Sequence, residues 1–230
     1  MAKTTLMFGS IGVLVETSDL QRQAYNDAMN EAGLDWHWDQ ETYADLLTQT
    51  GGKERLAHLA AATGSKLPQS TIDGIHARKT ELACAMMSSE KVGLRPGVAA
   101  LVKLAKERGM KLAFVTTTYQ PNISAVFASA GDTLLPKDFD YIGSRDPTAR
   151  GKPAPDAYLA ALDSLAVRPE DALAIEDTAN SVMAAARAGI QVVATPGEIT
   201  AGQDFWQADL VVDRLADAAG IDPRVLAMID

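Results

Sequence analysis

The chain has 230 residues, of which 47% are hydrophobic and 22% are charged, and its formal net charge is −9. This acidic balance argues against nucleic acid and against an anionic membrane as the main partner. The composition is typical of a globular protein with one large or two smaller domains. No apolar stretch has the length of a membrane span, no signal-peptide pattern is present, and the single cysteine, Cys84, excludes an internal disulfide, so we expect a cytoplasmic protein.

The first element of the chain is an apolar run, Leu6–Phe8, which predicts a short buried strand. The segment Gly9–Gly12 then turns the chain out of the strand, and a helix is expected to open near Ser18. Because side chains alternate along an extended segment, we expect Ser10 to face away from the residues on either side of it.

Residues 18–90 are predicted to be almost entirely helical. Apolar residues at helical spacing, with capping residues and a terminal glycine, predict four helices, which run from Ser18 to Gly33, Asp39 to Leu47, Lys53 to Thr63, and Pro68 to about residue 90. A helical insert directly after the first strand is typical of a cap domain. We therefore assign residues 16–90 to a helical cap, and residues 1–15 and 91–230 to a core.

From Leu94 onwards, short apolar runs alternate with helices, several of which open at a proline. The predicted strands of this part are Lys111–Val115, Phe139–Ile142, Ala172–Ile175, Gln191–Ala194 and Asp209–Val212. Alternating strands and helices imply a parallel sheet covered on both faces, and right-handed crossovers make it doubly wound. The predicted class is therefore an α/β fold with a Rossmann-like core, whose ligands bind at the carboxyl ends of the strands.

Two strand ends carry groups suited to an anion. Thr116 follows the second strand, and Thr118 comes shortly before the next helix. Hydroxyls and helix N-terminal amides together favour an anion, although a threonine run also serves in caps and turns. Lys152 precedes Pro153 and lies close to Pro155, which would hold it as a fixed positive charge facing phosphate, whereas most loop lysines are simply solvated.

A third strand end carries two adjacent carboxylates, Glu176 and Asp177. Neighbouring carboxylates repel each other and require a cation, and Mg²⁺ takes one or two carboxylates together with water and phosphate oxygens. The alternative is capping of the helix that follows. Asp177 can cap that helix alone, so capping does not explain Glu176.

The helical insert carries three cations, Lys53, Arg55 and Lys79, within an acidic protein. The glycines before the first of them, Gly51 and Gly52, would let backbone N–H groups approach an anion. The alternative is a solvated basic face. The histidines have no partner at a metal-ligand spacing and are expected to pack or to lie at the surface: His37, His58 and His76.

The order of these motifs resembles that of the haloacid dehalogenase superfamily over the whole chain. In that family, the first strand leads into Asp-x-Asp-Gly-(Thr/Val)-Leu-x-(Asp/Glu)-(Thr/Ser), which residues 9–17 follow at all but two positions. The chain is similar to the branch of phosphoglycolate phosphatases and β-phosphoglucomutases, and looks most like the CbbY-type sugar-bisphosphate phosphatases, which remove a phosphate from xylulose bisphosphate. That match rests on five segments: Leu34–Trp38, Thr50–Arg55, His76–Lys79, Leu94–Gly97 and Val115–Thr118.

The resemblance implies roles for individual residues and a small phosphorylated sugar as the partner. In the CbbY-type subgroup, the glycine loop and the helix lysine face the active site from the cap. The group that would hold the non-reacting phosphate is therefore Gly51, Gly52, Lys53, Arg55 and Lys79. Thr116 and Lys152 would act at the reacting phosphate, Thr118 would help to hold the ligand, and Glu16 would lie at the junction of core and cap.

The chain departs from the family pattern at two positions. Gly9 stands where the family has its nucleophilic aspartate, and Ile11 stands where it has its general acid and base. Neither residue can attack phosphorus or transfer a proton, so the aspartyl-phosphate route should be lost. The implied Mg²⁺ site would be weakened to Glu176, Asp177 and the carbonyl of Ile11.

Three hypotheses follow. The preferred one is a CbbY-like protein without the hydrolytic mechanism, retained for binding a phosphorylated metabolite or for regulation. The second is an active Mg²⁺-dependent sugar phosphatase that uses metal-activated water, which the retained carboxylates and lysine favour. The third is a protein-interaction role with a vestigial pocket, which the retained phosphate-binding residues disfavour.

Overall fold

The computed structural model describes residues 2–48, 51–90, 92–144 and 150–230. Its main sheet has six parallel strands in the spatial order β3-β2-β1-β4-β5-β6. These strands are β1 Thr5–Phe8, β2 Lys111–Phe114, β3 Tyr141–Ile142, β4 Ala172–Glu176, β5 Gln191–Ala194 and β6 Leu210–Val211. The predicted doubly wound α/β fold is confirmed.

Helices account for most of the remaining described residues. A helical insert between β1 and β2 comprises α2 Ser18–Glu31, α3 Gln40–Leu46, α4 Gly52–Ala62 and α5 Gln69–Glu90, and it follows a single turn, α1 Ile11–Leu14. The helices around the sheet are α6 Val98–Glu107, α7 Gln120–Ala130, α8 Asp156–Leu165, α9 Ala179–Arg187 and α10 Pro223–Ile229. No helix within these described ranges is both long enough and apolar enough to cross a membrane.

The sheet is buried on both faces because its strands are apolar on both sides. Leu6 and Phe8 of β1 belong to a core cluster with α6, α7 and part of the insert, whereas Met7 belongs to a second cluster with α8 and α9. Side chains alternate across a strand, so one short strand contributes to both clusters. This packing fixes the carboxyl edge of the sheet, where Gly9 and Glu176 lie next to each other.

The helical insert has an apolar cluster of its own. The rings of Tyr25, Trp38 and Tyr43 pack against one another with centroid distances of 4.7 to 6.2 Å. A separate cluster is what the expected cap domain requires. The assignment of the cap domain to residues 16–90 remains a prediction. Lys91, at the expected boundary, lies outside the described residues.

The two chain crossings between insert and sheet lie side by side. Val15 forms an isolated antiparallel bridge with Leu94, and the Arg95 amide donates to the Leu14 carbonyl at 2.8 Å. The Arg95 guanidinium donates further hydrogen bonds to main-chain carbonyls at 2.8 Å each, those of Gly12, Thr195 and Pro196. One side chain therefore ties the loops after β1 and β5 to the crossing.

Candidate active site

The loop after β1 remains in the sheet only as far as Gly9. The Gly9 amide donates to the Ile175 carbonyl at 2.9 Å, which extends the pairing of β1 with β4 by one residue. The chain then turns into α1 at Ile11. The alternation expected for Ser10 is wrong because the extended segment ends there, and the Ser10 hydroxyl instead donates to Oδ1 of Asp177 at 2.5 Å.

A buried polar cluster lies beside Gly9. Lys152 is 5% exposed, and its Nζ donates to Oε1 of Glu176 at 2.6 Å and to the Gly9 carbonyl at 2.8 Å. The Tyr158 hydroxyl donates to the same Glu176 oxygen at 2.6 Å. Burial raises the pKa of Glu176, whereas Lys152 and the Tyr158 hydroxyl oppose that rise.

This cluster occupies the space that a side chain at position 9 would need. A Cβ built on Gly9 would lie 2.0 Å from Oε1 of Glu176 and 2.4 Å from the Tyr158 hydroxyl oxygen. These distances are far below van der Waals contact, so any other residue at position 9 requires Glu176 and Tyr158 to move. The space at position 9, where the resemblance to the family predicts the nucleophile, is therefore filled by other side chains.

Asp177 is held between two residues of the same loop. Its Oδ1 accepts the hydrogen bond from Ser10, and its Oδ2 would lie 1.9 Å from a Cβ built on Gly12. Burial raises the pKa of this carboxyl, and the hydrogen bond from Ser10 opposes the rise. Because Gly12 has no side chain, the Asp177 carboxylate can lie directly against the loop.

The carboxylates of Glu176 and Asp177 form a donor set that fits a divalent cation. Oε2 of Glu176 is buried and has no hydrogen-bond partner among the described residues, and a buried carboxylate oxygen without a partner is costly unless a cation or a proton compensates it. No group of three potential metal-ligating side chains occurs within the part of the chain that the structure describes. A metal ion here would be held by two carboxylates together with water, which Mg²⁺ accepts.

The threonines after β2 form a second part of this edge. The Thr118 amide donates to the Thr116 hydroxyl at 3.2 Å, and Nδ2 of Asn122 donates to the Thr118 hydroxyl at 2.8 Å. Thr116 and Asn122 are buried, and all three residues line one cavity with Gly9 and Lys152. The expected hydroxyl groups are thus fixed by the start of α7.

The helical insert closes the other side of this cavity. Lys79 of α5 is 7% exposed, donates a hydrogen bond to Oε1 of Gln21 on α2, and lies 4.7 Å from the centroid of the Tyr25 ring. Burial and the nearby Arg55 guanidinium lower the pKa of Lys79 to about 7. Arg55 itself donates to the Leu46 carbonyl at 3.1 Å.

The glycine loop allows the insert to pack closely at this point. A Cβ built on Gly52 would lie 2.3 Å from the Tyr25 hydroxyl oxygen and 2.6 Å from Nε2 of His76, and Gly51 has a φ of +97°, so neither position tolerates a side chain easily. Thr50, the first residue of the quoted motif, lies outside the described residues. Lys53 is not brought to the cavity: it pairs with Asp73 at 2.6 Å and is partly exposed.

The cavity between sheet edge and insert has a volume of about 260 Å³. Among the described residues that line it are three cations, Arg55, Lys79 and Lys152, and one carboxylate, Asp177. Of the expected site residues, the structure brings together here Gly9, Ile11, Gly51, Gly52, Arg55, Lys79, Thr116, Thr118, Lys152 and Asp177. Glu176 lies behind Lys152 and is fully buried.

Sequence reasoning missed several residues of this site. His76, expected at the surface or in packing, is buried in the cavity wall against Tyr119, with a centroid distance of 5.5 Å. Gln21 and Tyr25 are four residues apart on α2 and share one helix face, a spacing that could have indicated them. Tyr158 had no local signal, because it lies on α8 and its partner Glu176 lies at the end of β4.

Comparisons with known proteins agree on one family. A family model described as haloacid dehalogenase-like hydrolase matches residues 6–189. Protein CbbY of Cereibacter sphaeroides is 41% identical over 217 residues, which are 94% of this chain and 94% of that protein. Protein CbbY of Rhodobacter capsulatus is also 41% identical, over 95% of this chain and 96% of that protein.

A solved structure is similar over nearly the whole chain. The crystal structure of a CbbY mutant from Rhodobacter sphaeroides, in complex with xylulose-(1,5)bisphosphate, has a TM-score of 0.86 and 38% identity, and the match covers 96% of this chain and 100% of that one. The parallel sheet and the helical insert of the present chain therefore have a direct counterpart in that crystal structure.

Proposed function

Because this chain belongs to the haloacid dehalogenase-like hydrolases and is similar to CbbY proteins over most of its length, we propose that it binds a phosphorylated sugar without forming an aspartyl-phosphate. The observation that carries the proposal is the charge of the cavity. Three cations face one carboxylate there, in a protein whose net charge is −9. An excess of positive charge around one cavity favours an anionic ligand, because charge-assisted hydrogen bonds to an anion are strong.

The expected ligand has phosphate groups at both ends. Lys152 and Thr116 would hold one phosphate at the sheet edge, and Arg55, Lys79 and the amides at the start of α4 would hold the other. The related crystal structure contains xylulose-(1,5)bisphosphate, which makes this compound the first candidate.

The loss of the aspartyl-phosphate route is supported by the volume beside Gly9. The carboxylate of Glu176 and the hydroxyl of Tyr158 fill that volume, and Ile11 offers no group that transfers a proton. A missing nucleophile in another hydrolase costs about 10⁶ in rate. Bound Mg²⁺, held by Glu176 and Asp177, would supply charge neutralisation for the phosphate.

An active phosphatase that uses metal-activated water is the second candidate. It is favoured by the adjacent carboxylates Glu176 and Asp177, because Oε2 of Glu176 is buried without a hydrogen-bond partner among the described residues and a cation would compensate its charge. A pure interaction role with an unused pocket is disfavoured, since Lys79 would then stay buried with no anion to compensate its charge.

The test combines binding and turnover on the same protein. Thermal-shift and calorimetric titrations with xylulose 1,5-bisphosphate and with inorganic phosphate measure binding, and phosphate release with Mg²⁺ measures turnover. We expect binding without release, weakened by Arg55→Ala and unchanged by Lys66→Met, since Lys66 is exposed on the insert. Turnover abolished by Asp177→Asn would establish the second candidate instead. Absence of both binding and turnover would favour the interaction role.

A further inference from the structure

One uncharged polar side chain lies among the cations of the cavity wall. Gln21 of α2 lines the cavity and is partly buried, and its Oε1 accepts a hydrogen bond from Nζ of Lys79. An ammonium group can only donate hydrogen bonds, so the amide oxygen must face Lys79 and the amide nitrogen must point away from it. The orientation of the Gln21 amide is therefore set by its charged neighbour.

The position of Gln21 along α2 places it between the two ends of the cavity. Ser18, Gln21 and Tyr25 all line the cavity from one face of the helix, as their spacing of three and four residues requires. At a rise of about 1.5 Å per residue, Gln21 lies about 4.5 Å along the axis from Ser18 and about 6 Å from Tyr25. Ser18 is the first residue of α2, after the crossing from the sheet, whereas the Tyr25 hydroxyl lies against Gly52 of the glycine loop. Gln21 therefore faces the space between the two expected phosphate sites.

The amide nitrogen of Gln21 has two hydrogens to donate. Nε2 forms no hydrogen bond within the part of the chain that the structure describes. An uncharged amide attracts a phosphate much less than the cations Arg55 and Lys79 do, and it suits an uncharged oxygen, that of a carbonyl or a hydroxyl group. The free donors of Gln21 are thus matched to the carbon chain of a sugar and not to its phosphates.

Lys79 can contact Gln21 and a phosphate at the same time. An ammonium group has three N–H donors, and the hydrogen bond to Gln21 uses one of them. The two others remain for a phosphate, as the proposed function requires. A phosphate bound by Lys79 would hold the amine in place, and the amine in turn would hold the Gln21 amide.

We propose that Gln21 is a specificity-determining residue, whose amide N–H groups donate to an uncharged oxygen on the carbon chain of the ligand. The ligand class is then a bisphosphate that carries a carbonyl or hydroxyl oxygen between its phosphates. The inference rests on the proposed function, because the phosphate contacts must first bring such a ligand to Gln21. A site that donates to a ligand oxygen discriminates against an analogue that lacks this oxygen, since the donor is then left unpaired.

The test compares two ligands on three forms of the protein. Calorimetric titration measures the Kd of xylulose 1,5-bisphosphate and that of pentane-1,5-diol bisphosphate, which has both phosphates but no oxygen on the carbons between them. Wild type should bind the sugar compound more tightly. Gln21→Met, which has no N–H donor, should reduce this preference about three- to tenfold, the range expected for one lost hydrogen bond. Gln23→Met is the matched control: Gln23 is exposed on the same helix, where it donates to Asp19, and its loss should leave the preference unchanged.

The ratio of the two affinities separates ligand recognition from support of Lys79. If Gln21 only positions Lys79, Gln21→Met weakens both compounds by the same factor, which would overturn the inference while phosphate binding stands. An unchanged affinity of Gln21→Met for both compounds would overturn it as well. If neither compound binds to wild type, the proposed function fails and the inference fails with it.

Discussion

The Tyr158 hydroxyl donates a 2.6 Å hydrogen bond to Oε1 of Glu176, and these two oxygens together fill the space beside the α-carbon of Gly9. Position 9, where the resemblance to the family predicts the nucleophile, is thus a packed part of the interior in this protein. Substitutions at position 9 should therefore change the free energy of unfolding, whatever their effect on chemistry.

Gly9→Ala should destabilise the protein although it adds a single methyl group. The new Cβ would lie 2.0 Å from Oε1 of Glu176, and overpacking of this kind typically costs about 1–3 kcal/mol. Chemical denaturation would measure the free energy of unfolding. Gly74→Ala is the matched control, because Gly74 is exposed in α5 with open space around it, and it should stabilise by about 0.5–1 kcal/mol. Equal effects of the two substitutions would contradict the packing described at Gly9.

Tyr158→Phe should remove a hydrogen bond to a buried carboxylate and lower stability by about 1.5–3 kcal/mol. It should also relieve part of the Gly9→Ala penalty, since the Tyr158 oxygen would lie 2.4 Å from the added methyl group. A double-mutant cycle measures this coupling, which we expect to exceed about 0.5 kcal/mol. Strict additivity would mean that the two positions do not share this space.

Lys152→Met should be among the most destabilising substitutions at the site. It leaves the Glu176 carboxylate buried without its cation, which typically costs about 3–5 kcal/mol. Lys103→Met breaks an exposed pair with Glu107 and should cost less than about 1 kcal/mol. Adding Glu176→Gln to Lys152→Met should recover part of the loss, and failure to recover any would argue against a direct charge effect.

Lys79→Met should stabilise the ligand-free protein while removing ligand binding. The folded protein holds Lys79 with a pKa of about 7, below its ordinary value of 10.5, so the unfolded chain binds more protons between these two pH values. The free energy of unfolding therefore rises with pH across that interval. The destabilisation caused by burying the charged Lys79 amine is complete below about pH 7. We expect Lys79→Met to gain on the order of 1–3 kcal/mol at pH 7, and progressively less towards pH 10.

Unfolding experiments on wild type and Lys79→Met from pH 6.5 to 9.5 would measure the pH dependence of this difference. Lys66→Met serves as the control, since Lys66 is exposed and its loss should leave both stability and pH dependence unchanged. A gain from Lys79→Met that does not vary with pH would show that packing, and not the buried charge, is responsible. This trade of stability for ligand binding is common at functional sites.

The sequence was sufficient for the main architecture. Prolines at helix starts and apolar runs located α7, α8 and the central strands within one or two residues, because these signals act locally. The short edge elements were harder. The strand expected over Phe139–Ile142 pairs only at Tyr141–Ile142, the hairpin of β7 Ala216–Asp217 and β8 Gly220–Ile221 had not been predicted, and neither had α10.

The site was predictable where residue type and strand position acted together. Thr116, Lys152 and Asp177 lie at strand ends or in the loops after them, and the sheet brings them into one cavity wall. The expectation for Ser10 was wrong because it assumed an extended chain where α1 begins. The partners of Tyr158 and His76 come from distant segments, and a single sequence carries no signal for such contacts.

The hydrogen bonds of Arg95 hold the loop after β1 in place whatever side chains positions 9 and 11 carry. Among the described residues, the acceptors of its guanidinium are the carbonyls of Gly12, Thr195 and Pro196 and the Thr195 hydroxyl, and none of them is a side chain at position 9 or 11. The anchoring of this loop is therefore independent of the side chains at positions 9 and 11. The position of this loop therefore does not report on the chemistry that its side chains can perform.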